Sequence, residues 1–397
     1  MAENKGILDG VKVLSSCTVV AGPFAAGMLA ENGADVVSIE HPVIPDTGKL
    51  FGLLYNAEHR NQRSLAMDVK DAAGKEVFTK LIADMDIFLE ASRPGVWDRL
   101  GFSDEELWKI NPALVICHIS GYGQSGDPEY VSKASYDMIG QAFGGTMALN
   151  GMPGDDMPPM YAKPYICDYI TGLTASFACT SALLKARATG KGESIDVAMF
   201  EIMARMQAGY SVEGLTDGKQ PVRNGACDAV AAFDVVFKTS DDKWCVLAIA
   251  KPNKPWMEAL GLMDDPDFGS LPFISWAHPR AAEYVQISRE FVRKHTLDEM
   301  MDMMKEMKLA ASPVMDYAMM NENSHYNQRG TIIKWYDETQ KRELTGITSI
   351  PRFKNNPGGI WRGAPTLGMD NNEVLGGLGY TEEQIAELAA KGVIAQK

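Results

Sequence analysis

Asp168 stands in Tyr165-Ile166-Cys167-Asp168-Tyr169-Ile170-Thr171-Gly172-Leu173, just ahead of an apolar segment, Ile170 to Ala188, whose composition predicts a long helix. Lys185 and Arg187 come only in its last turn and Thr189-Gly190 supplies the stop, as suits the helix dipole. An aspartate there has two readings. It can cap the helix, its side-chain oxygen taking an orphan backbone N–H. It can also be a carboxylate nucleophile, reactive because it is half-buried and not solvated away. Local pattern alone favours the cap.

Other constellations are weaker. Gly121-Tyr122-Gly123-Gln124-Ser125-Gly126 matches GxGxxG and follows a strand, but Asp127-Pro128 interrupts the helix a dinucleotide site requires, and the motif falls late in its domain. A Gly-rich turn that lets backbone approach or clear a ligand fits better. Ser15 to Pro23 forms a first strand-to-helix turn whose backbone N–H groups are an anion site in principle. Arg60, Arg63 and Lys70, and then Arg93 and Arg99, are basic residues near strand ends, and Arg suits phosphate. Singly, each also reads as a solvated surface charge. No Ser-His-Asp or Cys-His arrangement emerges. His118 lies in an apolar strand and reads as a satisfied core histidine, and the Met300–Met307 run reads as core filler.

The elements around these residues alternate. Val11–Leu14 and Asp35–Glu40 read as strands flanking a small-residue helix, Ala21–Glu31. A helix at Ala72–Ala83, a strand at Asp86–Glu90, a helix behind the capping box Ser103 and Glu106, and a strand at Leu114–Ser120 follow. Such alternation predicts an α/β doubly wound domain to about residue 200. Gly214–Asp228 is polar and Gly-rich and reads as a linker. Short strands at Ala232–Lys238 and Trp244–Ile249, then helices at Ala281–Lys294 and Leu297–Met307 (capping box Thr296 and Glu299), predict a smaller α+β domain. A last helix covers Thr381–Lys391 behind Thr381 and Gln384.

With 397 residues, 46% of them hydrophobic and 23% charged, the chain has the composition of a soluble globular protein of two or three domains. Its net charge of −14 argues against a nucleic-acid partner, though local basic residues can still bind an anion. The six cysteines, at 17, 117, 167, 179, 227 and 245, are scattered, and the histidines lack metal-ligand spacing, so no metal is expected. Without an apolar signal region or spanning segment, the expectation is a cytoplasmic protein without a membrane partner.

From end to end the chain resembles the class III, or family III, CoA-transferases. The resemblance rests on Gly10-Val11-Lys12-Val13-Leu14 with Ala21-Gly22-Pro23, on Gly33-Ala34-Asp35-Val36-Val37-Ser38-Ile39-Glu40, and on Ser92-Arg93-Pro94-Gly95. It continues through Ile119-Ser120-Gly121-Tyr122-Gly123-Gln124, Ser135-Tyr136-Asp137, Asp168 with Thr171-Gly172, and Thr189 to Val197. It implies that Asp168 is the nucleophile. It also implies a Rossmann-like large domain built from residues 1–213 and 326–397, a small domain at 225–325, a linker at 214–224, and an interlocked homodimer. By the same resemblance CoA, a cosubstrate and not a tightly bound cofactor, lies along Thr18, Val19, Val20, Ala21, Arg63, Leu65, Arg93 and Arg99, with Tyr136 near the reacting end.

Within that family the resemblance points first to transfer between L-carnitine and crotonobetaine or γ-butyrobetaine, and alternatively to bile-acid CoA-transfer. Ser125-Gly126-Asp127-Pro128 and Ala134-Ser135-Tyr136-Asp137 lean to the bile-acid group; Ser176–Lys185 and Gly192–Glu201 lean slightly to the carnitine group. Acyl-CoA racemase relatives carry a histidine where Tyr136 stands, and a tyrosine is a poor base at neutral pH. A silent CoA-binding partner is the remaining alternative. The glycine-rich lid of oxalate-type relatives is not visible near Ala248-Ile249-Ala250-Lys251. Oxyanion donors are expected near Gly140 or in the Gly-rich turn. Tyr161, Tyr165, Tyr169 and Trp276 are the aromatics available to cradle a trimethylammonium group.

Overall fold

The computed structural model describes residues 6–228, 231–232, 235–249, 254–269 and 274–395. The chain divides into two compact units, one of Met1–Met147, Tyr161–Lys219 and Asn327–Lys397, the other of Ala148–Met160 and Gln220–Tyr326. The second unit thus takes up Ala148–Met160, which the sequence reading left with the large domain.

The first unit is built on six parallel strands: β1 (Lys12–Ser16), β2 (Asp35–Glu40), β3 (Arg63–Ala66), β4 (Ile87–Glu90), β5 (Val115–Ser120) and β6 (Glu193–Ala198). Their spatial order is β3-β2-β1-β4-β5-β6. This is the doubly wound order, and the direction of winding reverses between β1 and β4, where open sheets of this kind bind ligands beyond the carboxyl ends of the strands. Both faces are covered, which is why the strands read as apolar runs and not as alternating ones. Val13 points to one core with Ala25, Leu29, Ala175 and Cys179, while Leu14 points to the other with Phe78, Phe88 and Trp97.

The small residues of the Ala21–Glu31 helix are explained by what they touch. It lies against the long helix Ile166–Thr189, and a Cβ on Gly172 would run into the Ala21 carbonyl oxygen and, at 2.9 Å, the Phe24 ring. A Cβ on Gly27 would stand 2.8 Å from the Glu58 carbonyl oxygen. Only glycine permits such close approach.

After the second unit the chain returns to the first. A hairpin of two antiparallel strands, Ile332–Asp337 and Arg342–Ile347, precedes a segment that stitches onto β3. Asp370 accepts the Ser64 backbone N–H at 2.7 Å, Asn371 accepts that of Ala66 at 3.0 Å, and Met67 bridges to Ile394. The closing helix Glu382–Ala390 carries the predicted Thr381–Gln384 capping box and adds Ile385 and Leu388 to the core.

In the second unit, strands Val236–Lys238, Trp244–Ala248 and Ala310–Pro313 form an antiparallel sheet. Helices Ala281–Val292 and Leu297–Glu306 accompany it, the latter behind the predicted Thr296–Glu299 box. Met300 and Met304 are fully buried, as core filler should be. Several expectations need correction. The Ser103–Glu106 box is only half formed: Ser103 accepts the Glu106 N–H at 3.4 Å, but the Glu106 carboxylate pairs with Lys109 instead of returning to the cap. The polar segment from Gly214 begins inside a helix, Gly209–Asp217. Phe233 and Asp234 of the expected Ala232–Lys238 strand, and Ala250 and Lys251 of the segment where no glycine-rich lid was expected, lie outside the described residues. No helix among the described residues is long and apolar enough to cross a membrane.

Candidate active site

Asp168 is not the helix cap. The long helix begins at Ile166, so Asp168 is its third residue; the capping position falls on Tyr165, which sits in the left-handed region at φ 44° and makes no side-chain cap hydrogen bond. Two of the orphan N–H groups are satisfied from elsewhere. Asp137, the first residue of the helix Asp137–Phe143, accepts the Cys167 N–H at 2.8 Å and the Asp168 N–H at 3.3 Å through one carboxylate oxygen. Its other oxygen takes the Gln141 amide at 2.7 Å. Gly140 makes this approach possible, since a Cβ there would stand 2.5 Å from the Cys167 sulfur.

With the cap supplied by Asp137, the Asp168 side chain is left for other use. It is 8% exposed, and its carboxylate has no hydrogen-bond partner among the described residues. Burial, and then the charge of Asp137, push its pKa up to about 7. Burial likewise raises Asp137. Cys167 is held up at about 12 by burial and by the two aspartates, so it is a thiol and not a competing nucleophile at neutral pH. Tyr169, the next residue, donates its hydroxyl to Glu58 at 2.9 Å and sets its ring edge-on to Phe24. Burial lifts Glu58 to about 7, against the pull of that hydrogen bond and of Arg60. The site therefore joins a poorly solvated carboxylate to a helix start that is already satisfied. That is the environment in which a carboxylate is nucleophilic.

The other sequence candidates divide. Thr18, Val19, Val20 and Ala21 follow β1, and Arg93 and Arg99 follow β4, so these two groups meet at the reversal of the sheet. Arg93 and Arg99 are exposed, and neither guanidinium has a partner among the described residues. Arg60 and Arg63 are different. Arg60 pairs with Glu31 at 2.7 Å, and Arg63 forks onto Asp35 at 2.9 and 2.6 Å at the start of β3. Leu65 is fully buried, so only its backbone is available to a ligand. Tyr136 is 62% exposed and immediately precedes Asp137.

The first strand-to-helix turn does hold an anion, but it is the chain's own. Val19, at φ 72°, donates its N–H to the Asp46 carboxylate at 3.0 and 3.2 Å. Three of the backbone N–H groups near Gly140 and in the Gly-rich turn are already engaged. Gly140 donates to the Tyr136 carbonyl oxygen, Gly123 to the Ser120 hydroxyl and Gln124 to Asp196. In that turn Gly121 makes room for Ser135, and Gly123 and Gly126 adopt positive φ. Among the aromatics, Trp276 donates to the Asp228 carbonyl oxygen. Asp137 escaped sequence reasoning as a site residue; the available signal was an aspartate beside Tyr136 with Gly140 and Gln141 one turn on.

The model of CoA-transferase family III matches residues 8–371. The chain is 38% identical over 398 residues to the bile acid CoA-transferase BaiK of Clostridium scindens, covering 98% of this chain and 90% of that one. Among solved structures it resembles a CaiB/BaiF family protein from Brucella suis, at 26% identity and a TM-score of 0.82, over 94% of this chain and 100% of that one. Its fold also matches Rv3272 from Mycobacterium tuberculosis, at 22% identity and a TM-score of 0.76, over 93% and 99% of the two chains. A family match across most of the chain, joined to this sheet order, makes the protein a member of CoA-transferase family III and an enzyme that transfers CoA.

Proposed function

We propose that the chain moves CoA from an acyl-CoA thioester to a free carboxylic acid through covalent intermediates on Asp168. The carrying observation is the Asp168 carboxylate itself, buried, without a hydrogen-bond partner among the described residues and relieved of capping by Asp137. The carboxylate attacks the thioester carbonyl; the C–S bond breaks and CoA leaves as thiolate, giving a mixed anhydride. The thiolate attacks the aspartyl carbonyl, releases the first acid and forms an aspartyl-CoA thioester. The acceptor carboxylate attacks that thioester and displaces the thiolate, which then attacks the acceptor acyl carbonyl and frees Asp168. One thioester is made for each one broken, so the reaction as written needs no redox partner. Positioning and stripping of water carry the rate. Arg93 and Arg99, exposed and without partners among the described residues, supply cations for the CoA phosphates.

For the acids, the 38% identity to a bile acid CoA-transferase supports a sterol acid as donor and acceptor. The carnitine-type acids to which the sequence first pointed become the competing substrates in the test. Purified protein is given cholyl-CoA or γ-butyrobetainyl-CoA in separate tubes, each with free bile acids and free carnitine, and new thioesters are read by mass spectrometry. Exchange among bile acids is expected. Carnitinyl-CoA would move the substrate and keep the chemistry. Asp168→Ala should lose turnover while retaining CoA binding; near-normal activity in that variant would refute the nucleophile.

A further inference from the structure

Below the loop that carries Arg93 lies a charged cluster that the reaction itself does not use. Glu90 ends β4, is 2% exposed, and faces His118 in register on β5. One Glu90 oxygen meets His118 Nδ1 at 2.7 Å. The other accepts the Ser92 N–H at 2.6 Å and the Trp97 indole N–H at 3.0 Å. The second imidazole nitrogen meets Asp104 at 3.0 Å, at the start of the helix Asp104–Ile110. With a carboxylate on each ring nitrogen, only the doubly protonated ring satisfies both. Although burial opposes it, the hydrogen bonds and charges of Asp104 and Glu90 raise the His118 pKa to about 10. His118 is satisfied, as the sequence suggested, but by two carboxylates and not by an apolar core.

The place of the cluster gives it a purpose. Ser92–Gly95 belongs to the loop after β4, at the reversal of the sheet, and runs into a short helix, Val96–Leu100; Glu90 holds Ser92 in the loop and Trp97 in the first turn of that helix. Arg93 projects from this loop with no partner of its own among the described residues. Arg93, Glu90, His118, Asp104, Gln124 and Asp196 line one cleft of about 290 Å³. Ser92 and Trp97 are tied to one buried carboxylate, itself paired with a held imidazolium, so the backbone that carries Arg93 is fixed on both sides.

We propose that Glu90 and His118 are positioning residues for the acyl-CoA site, holding the Ser92–Trp97 segment so that Arg93 meets a CoA phosphate. This rests on the reading that Arg93 binds CoA. Replacing His118 by Leu leaves two carboxylates without their shared cation, and the loop loses its fixed anchor. Steady-state kinetics of Arg93→Ala, His118→Leu and the double variant, with each substrate varied in turn, test it. Arg93→Ala and His118→Leu should each raise the KM for acyl-CoA about tenfold, the worth of one charge-assisted contact. The KM for the acceptor acid and kcat should stay nearly unchanged, and the double variant should be no worse than Arg93→Ala alone. Should His118→Leu not fold, Trp97→Phe removes one Glu90 donor while keeping an aromatic ring, and should raise the same KM alone. An unchanged acyl-CoA KM in His118→Leu, or in Trp97→Phe where that variant stands in, beside a raised one in Arg93→Ala overturns the clamp. Multiplying effects in the double variant do so too. An unchanged KM in Arg93→Ala overturns the CoA-site reading beneath it, and the purpose of the clamp with it.

Discussion

Burial and the neighbouring charge of Asp137 hold the Asp168 carboxyl at about 7, so near neutral pH it exists in both forms. Only the carboxylate attacks a thioester, so kcat/KM should rise with pH along an acid limb near 7. Asp137→Asn keeps an oxygen for the Cys167 and Asp168 N–H groups but removes the charge. The limb should then move to lower pH, which a pH–rate profile reads directly; an unmoved limb would assign it to another group. The same elevation acts on stability. A carboxyl whose pKa is higher folded than unfolded adds stability that is fully present below the unfolded value near 4 and is lost as pH rises to about 7. At pH 8 the ionised Asp168 therefore costs the fold. Asp168→Asn should raise Tm, more at pH 8 than at pH 5, in a variant that has lost turnover.

Among the elements, the approach of the two helices behind the site depends on Gly172. A Cβ on Gly172 would run into the Ala21 carbonyl oxygen. Gly172→Ala should cost about 1–3 kcal/mol by overpacking, read by denaturant unfolding, and should disturb the turn before Ala21 as well. Elements of this scale were the most legible in the sequence. The strands at Asp35–Glu40 and Leu114–Ser120 and the two distal capping boxes follow from apolar runs and local hydrogen-bond chemistry. The start of the long helix was less legible. Its cap comes from Asp137, 30 residues away, and a cap supplied across tertiary contact leaves no local pattern. The pairing of Val19 with Asp46 and of Arg63 with Asp35 was hidden for the same reason. An arginine reads alike whether it faces a carboxylate or a ligand.

At the scale of the whole molecule, the first unit is closed by the part of the chain that returns to it. Val374, Leu375, Ile385, Leu388, Val393 and Ile394 complete the core on one face of the sheet, and Asp370 and Asn371 satisfy N–H groups of the edge strand β3. A chain ending at residue 326 would expose that core face and that edge together. It should be insoluble or proteolysed where the full chain is not; a soluble, cooperatively unfolding truncation would contradict the role given to the return. The return was visible in the sequence only through family resemblance, because contacts between residues 64 and 370 have no periodicity to read. The interlocked homodimer that the resemblance implies stands as a proposal. It is supported by Leu173, Phe177 and Leu184, 51%, 71% and 75% exposed along one face of the long helix.

The most direct measurement is of the covalent state of Asp168. The protein would be mixed with an acyl-CoA it turns over, quenched with hydroxylamine, digested, and the peptide spanning Tyr165–Leu173 sequenced by mass spectrometry. An aspartyl hydroxamate at Asp168, formed only when acyl-CoA is present, is the predicted result. Turnover with Asp168 unmodified, or with the hydroxamate on another carboxylate, would contradict the assignment of the nucleophile.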